Sequence, residues 1–141
     1  MKKIFQLAML LSVLIFFTSS CESDDLSSDS DMQEILTQNN EWIVTYFWDK
    51  DKDETHKFQE YTFLFEENGT IQALKNGVKI ESGTWIVNSS SNKFIISLET
   101  SSDPLEEMND DWLIQEKDVS IIKLRDDNDE HLEELYLEKN K

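Results

Sequence analysis

The 141-residue chain contains one cysteine, one proline and three glycines. A single thiol excludes intrachain disulfides and multi-cysteine zinc sites, so stability has to come from the core. Three scattered glycines leave no Gly-rich phosphate loop, and neither Gly-x-Ser-x-Gly nor His-Glu-x-x-His occurs. Basic residues are scarce: 13 Lys and Arg stand against 30 Asp and Glu, a formal charge of −17. Phosphate-backbone binding needs clustered cations, and none cluster here, which excludes nucleic acid as a partner. Long apolar runs are missing except for residues 4–17, broken by Gln6 and Ser12. That run is shorter than the roughly 20 residues a spanning helix requires. The two histidines, His56 and His131, lie in acidic stretches where exposed side chains are expected, and neither completes a nucleophile motif. No convergent catalytic set and no cofactor motif is visible, so an enzyme is not expected and the cofactor expectation is none.

What is present begins at the N-terminus. Lys2 and Lys3, the apolar run and small residues 18–20 have the layout of a secretory signal peptide spanning 1–20. Thr18-Ser19-Ser20-Cys21 resembles the lipobox of bacterial lipoproteins, which implies that Cys21 receives the lipid and becomes the new N-terminus. Each buried methylene contributes about 0.8 kcal/mol, so a multiply acylated cysteine holds a protein on a membrane durably. Without acylation, the same segment implies a cleaved, secreted protein with a spare thiol. Glu22-Ser23-Asp24-Asp25 resembles the acidic export tag of Bacteroidota lipoproteins, implying an outer-membrane, cell-surface location. Its other reading is a solvated acidic tether over 21–30.

Cleavage after residue 20 of 141 leaves 121 residues, one domain's worth, and loss of Lys2 and Lys3 takes the charge from −17 to −19. Ser30 and Gln33 have capping-box spacing before Met32, Ile35 and Leu36, predicting a short helix over 31–38. Eight β-rich segments follow: 42–48, 58–65, 70–75, 78–87, 93–98, 112–116, 119–124 and 132–138. Asn76-Gly77 predicts a type I′ turn, and closing it sets Lys75 opposite Val78, Ala73 opposite Ile80 and Ile71 opposite Ser82. Strict alternation then turns Trp85 outward, unless a bulge at Gly83 brings it in. Asp103-Pro104 with Leu105 and Met108 predicts a short helix crossing from strand five to strand six.

The N-terminal helix, Asn40-Glu41-Trp42, the run from Tyr61 to Phe65, Asn68-Gly69-Thr70, Gly83-Thr84-Trp85, Asp110-Asp111-Trp112 and the final Leu135-Tyr136-Leu137 together resemble small lipocalin-like lipoproteins of Bacteroidota. The resemblance covers 31–139. It implies an all-β domain over 31–141: an eight-stranded antiparallel up-and-down barrel, or a strongly curved meander, with a central cavity. In true lipocalins Gly-x-Trp opens the first strand, whereas Gly83-Thr84-Trp85 lies in the fourth, so ligand residues do not transfer.

Asp49, Asp51, Asp53 and Glu60 fall at positions 1, 3, 5 and 12 of a calcium-loop frame, although Glu54 replaces the turn glycine and strands flank the loop. The competing reading is a solvated hairpin loop. Trp42, Trp48, Trp85 and Trp112, with Tyr61, Phe63 and Phe65, either line a ligand cavity or fill it. Two functions remain open. One is a membrane-anchored lipoprotein binding a small apolar ligand or glycan in the barrel mouth. The other is a protein-interaction module with a solid core, whose acidic loops 49–57 and 126–130 meet a partner, possibly a basic protein.

Overall fold

A computed structural model describes residues 27–38, 41–128 and 130–141. Cys21 and the export-tag residues Glu22, Ser23, Asp24 and Asp25 lie outside the described residues. Helix α1 (Ser27–Thr37) leads into strands β1 (Trp42–Asp49), β2 (Lys52–Asp53), β3 (Tyr61–Phe65), β4 (Thr70–Lys75), β5 (Val78–Asn88), β6 (Lys93–Leu98), β7 (Asp110–Lys117), β8 (Ile121–Arg125) and β9 (Glu133–Lys139). Each long strand pairs antiparallel with the next, and β1 also pairs with β9 from Trp42↔Lys139 to Asp49↔Glu133. The eight long strands therefore close into a barrel, which removes the exposed sheet edges a meander would leave. The two-residue β2 is an appendage on β1.

Closure is thin between β1 and β3, where the ladder is the single pair Trp42↔Phe63. The segment that sequence alternation assigned to the start of strand two supplies the missing bonds. Phe58 sits in a 3-10 turn (Thr55–Phe58), not in a strand. The Glu54 N–H donates to the Phe47 carbonyl (2.9 Å) and the Phe47 N–H donates to Thr55 Oγ1 (2.8 Å). Phe58 then packs edge-on to Phe47, 5.1 Å between ring centroids, and closes the gap with apolar surface.

Three register shifts decide which side chains enter the barrel. The shift at Thr45 in β1 breaks the alternation of Trp42 and Val44, so Phe47 is buried while Tyr46 and Trp48 lie on the outer wall. Trp48 is thus not an interior residue; its Nε1 donates to the Lys50 carbonyl (3.2 Å). In the Asn76-Gly77 hairpin both turn residues have positive φ (51° and 76°), and Lys75↔Val78 and Leu74↔Lys79 pair as alternation requires. Beyond them Ala73 pairs with Glu81, Gln72 with Ser82 and Ile71 with Gly83, because Ile80 is an extra residue on β5. The bulge is therefore at Ile80, not Gly83, and the expected pairs Ala73–Ile80 and Ile71–Ser82 do not form. One inserted residue flips every later side chain, leaving Ile80 and Ile86 exposed and burying Trp85. The third shift falls between Ile114 and Glu116.

The helical segments also differ from expectation. α1 starts at Ser27, inside the stretch read as a tether, so Ser30 is within the helix and the capping box does not form its end. Met32 and Leu36 are fully buried and seal one end of the barrel. Between β6 and β7 stands a 3-10 turn (Glu106–Met108), not an α-helix, although Leu105 and Met108 share the buried side as the sequence suggested. Three buried indoles tie such pieces to the barrel: Trp42 Nε1 donates to Leu36 O (3.2 Å), Trp112 Nε1 to Met108 O (3.0 Å) and Trp85 Nε1 to Thr70 O (3.0 Å). Each large ring thereby fills core volume and satisfies its one donor. Trp42, Phe47, Phe63, Ile71, Phe94, Trp112, Ile122, Leu124, Leu135 and Leu137 are all 0% exposed, and they belong to one contiguous core cluster.

Candidate functional site

In an up-and-down barrel successive connections alternate between ends. α1, the turns at 66–69 and 118–120 and the end of β9 therefore gather at one pole, and the loops 50–60, 76–77, 99–109 and 126–132 at the other. Cross-contacts match this: Gln33 Nε2 donates to Glu67 O (3.3 Å) at the first pole, and Lys50 N to Leu132 O (2.9 Å) at the second. The second pole is the mouth, and it is acidic. Segments 99–111 and 126–134 contain no lysine or arginine.

Side-chain parity brings several of these acids to the rim. Asp49 follows buried Phe47 by two residues, Asp110 precedes buried Trp112 by two, Asp126 follows buried Leu124 by two, and Glu133 precedes buried Leu135 by two. Period-2 geometry thus turns each carboxylate toward the barrel axis, just beyond the last apolar layer. Asp110, Asp126 and Glu133 each offer a carboxylate oxygen within 4.8 Å of the others. Burial raises the Asp110 pKa, and the charges of Asp126 and Asp111 push it the same way against a hydrogen bond from the Asp111 N–H. Burial likewise raises Glu133, helped by Asp49, Asp126 and Asp110 and opposed by Lys50. Three hard oxygen donors at this spacing suit a cation, whether a metal ion or an ammonium or guanidinium group.

A second group, Asp49, Glu54 and Glu107, converges as closely but carries its own cations. Glu54 is 5% exposed and is ion-paired with both Lys52 and Lys57. Those two hydrogen-bonded lysines hold the Glu54 pKa below the usual carboxylate range despite desolvation. Lys57 also reaches Asp103 Oδ1 (3.1 Å) and Glu107 Oε1 (3.2 Å), and the hydrogen bond to Glu54 foremost raises its own pKa.

The calcium-loop frame is not assembled. Asp49 points to the rim, Asp51 is exposed in the turn after β1, and Asp53 caps Thr55 N (2.9 Å). Glu60 pairs instead with Lys75 (3.3 Å). His56 and His131 are both exposed. Sequence reading singled out the loops 49–57 and 126–130 but missed Asp110, Glu133, Glu107 and the role of Lys57. The available signal was an acid two positions from a large apolar residue at a strand end.

No helix among the described residues is long and apolar enough to cross a membrane. Fold and rim define the protein's class as a closed eight-stranded antiparallel barrel with a filled interior and an acidic mouth. No family model, no curated protein and no solved structure matches the chain.

Proposed function

We propose that this protein is an exported lipoprotein, anchored through Cys21 at the outer membrane and displayed on the cell surface, that works as a protein-interaction module. Its acidic mouth receives a cationic segment of a partner. The observation that carries this reading is the occupied interior: Trp42, Phe47, Phe63, Phe94 and Trp112 fill the barrel where a small apolar ligand or glycan would otherwise sit. Binding by a filled barrel falls to its surface, and the mouth is where uncompensated charge is crowded. Opposite charge on a partner would relieve the repulsion that raises Asp110 and Glu133, and long-range attraction would speed the encounter. The position of α1 agrees with such a display. It begins six residues after Cys21, at the pole opposite the mouth, so an anchored domain would hold the mouth away from the bilayer.

Two measurements test the reading. Cys21→Ala should move the protein from the membrane fraction to the soluble fraction, and full membrane retention would remove the anchor. Cross-linked partners captured by the native protein should be lost on Asp110→Asn/Asp126→Asn/Glu133→Gln substitution. They should also dissociate as salt rises from about 0.05 to about 0.5 M, where the Debye length falls to roughly 4 Å. Capture indifferent to both, or a stoichiometric small molecule retained in native mass spectrometry, would overturn the surface-binding reading.

A further inference from the structure

Two short leaves cover the mouth. The first, residues 54–58, is bolted to β1 by the Glu54 N–H to Phe47 O and Phe47 N–H to Thr55 Oγ1 bonds (2.9 and 2.8 Å), and it buries Phe58. The second, residues 99–109, is tied at its two ends. Glu99 N donates to Ser82 O (2.9 Å), while the Asn109 side chain brackets Leu98, accepting from its N–H (2.6 Å) and donating to its carbonyl (3.1 Å). Between those ties it holds itself in shape by local bonds such as Glu106 N to Ser102 O (3.0 Å) and Asn109 N to Glu106 O (3.0 Å). It lays Leu105 (2% exposed) and Met108 (0%) onto the core, where Trp112 Nε1 meets Met108 O.

The leaves are joined by one side chain. Lys57, next to Phe58 on the bolted leaf, reaches Asp103 and Glu107 on the other, while its ammonium also contacts Glu54 behind it. Its side chain is 22% exposed, Glu54's is 7% and Glu107's is 30%, so water screens this junction less than a surface pair. The two leaves differ in kind. The first is held by backbone bonds to the barrel, and the second by a small apolar footprint plus ion pairs to Lys57.

We propose that residues 99–109 form a lid that opens as a local unit while the barrel stays folded, and that Lys57 is its latch. The ends at Glu99 and Asn109 are the hinges, and the segment between them swings with Leu105 and Met108. Opening uncovers apolar surface around Trp112 and frees Asp103 and Glu107 for another cation. Any cation that competes for these carboxylates, from dissolved salt to a charged side chain of a second protein, favours the open form. This device stands on the closed geometry alone and does not require the partner proposed above.

The two buried methionines provide the test, because peroxide oxidises a thioether only when it is reached by solvent. Met108 lies under the lid and Met32 under α1, at the opposite pole, and both are 0% exposed. In the full chain, Lys57→Met should raise the oxidation rate of Met108 about fivefold to tenfold, with Met32 unchanged. Amide exchange in β8 and β9 should also stay unchanged. Lys57→Arg, which keeps the charge and both partners' reach, should restore protection. In the unaltered protein, about 1 M neutral salt should speed Met108 oxidation relative to Met32, and this arm holds even if Lys57→Met fails to fold. Equal acceleration at Met32 and in β8 and β9 would mean global loosening and would overturn the lid. An unchanged Met108 rate in both the variant and high salt would overturn the latch.

Discussion

Gly83 provides the sharpest test of how the barrel wall is built. It lies on the inward parity of β5 set by the Ile80 bulge and pairs with Leu98 of β6. A Cβ on Gly83 would stand 2.0 Å from the Ser97 carbonyl oxygen and 2.6 Å from the Leu98 Cα. Ordinary non-bonded contact needs about 3.5 Å, so the backbone of β6 would have to retreat by roughly 1.5 Å. Its neighbours are backbone atoms, which cannot rotate away as a flexible side chain would. Retreat would break the local ladder at Gly83↔Leu98 and Thr84↔Ser97, about 1 kcal/mol for each bond lost, on top of about 1–3 kcal/mol of overpacking. Gly83→Ala should therefore cost about 3–5 kcal/mol, a large part of the roughly 5–15 kcal/mol typical of a domain. For a domain of this size that is a fall in Tm of roughly 12–20 °C. Gly77→Ala is the internal control. Its Cβ meets nothing within 4 Å, and only the left-handed φ of +76° opposes it, about 1 kcal/mol. Paired thermal and urea unfolding of the two variants measures the difference. A Gly83→Ala protein as stable as Gly77→Ala would refute the close strand approach and the bulge register that produces it.

Further outcomes follow from the rim and the core. Asp110→Asn/Glu133→Gln should raise Tm by a few degrees at pH 7, about 1 kcal/mol, and the gain should vanish as pH falls to about 4. The sign follows from their raised pKa values, since the favourable protonated forms are present below the unfolded pKa and lost as pH rises through the folded one. Glu54, Asp53 and Asp111 run the other way. Their lowered values mean stability present at neutral pH and lost as pH drops through the folded pKa, so acid unfolding of the double variant should remain. Trp112→Phe should cost about 1–3 kcal/mol by leaving the Met108 carbonyl without its donor, read by urea unfolding. Calcium at about 1 mM should shift Tm by under about 1 °C, because the frame residues are dispersed and lysines already pair with Glu54; a large stabilisation in calorimetry would contradict this.

The local signals in the chain act over a few residues, and those were readable. Asn76-Gly77 and Asn68-Gly69 mark turns because a glycine at positive φ costs little, and both glycines adopt it (76° and 83°). The run from Tyr61 to Phe65 alternates buried and half-buried as its residue types suggest. Phe58 deceived because β-rich composition cannot separate a strand from a 3-10 turn that closes a gap between strands. Trp48 deceived because alternation was carried through Thr45, where one extra residue reverses the parity.

The amino-acid sequence by itself determined an acidic, thiol-poor chain with a signal-like N-terminus and a succession of antiparallel hairpins, all of which rest on composition and short-range conformational preference. Only the tertiary structure decided where the chain slips by one residue, and therefore that Trp85 points in, that Trp48 points out and that Gly83 touches β6. It also decided that acids from β1, β7, β8 and β9 share one rim and that Lys57 bridges two loops. Those choices depend on which residues far apart in the chain come into contact, and barrel closure fixes those contacts all at once.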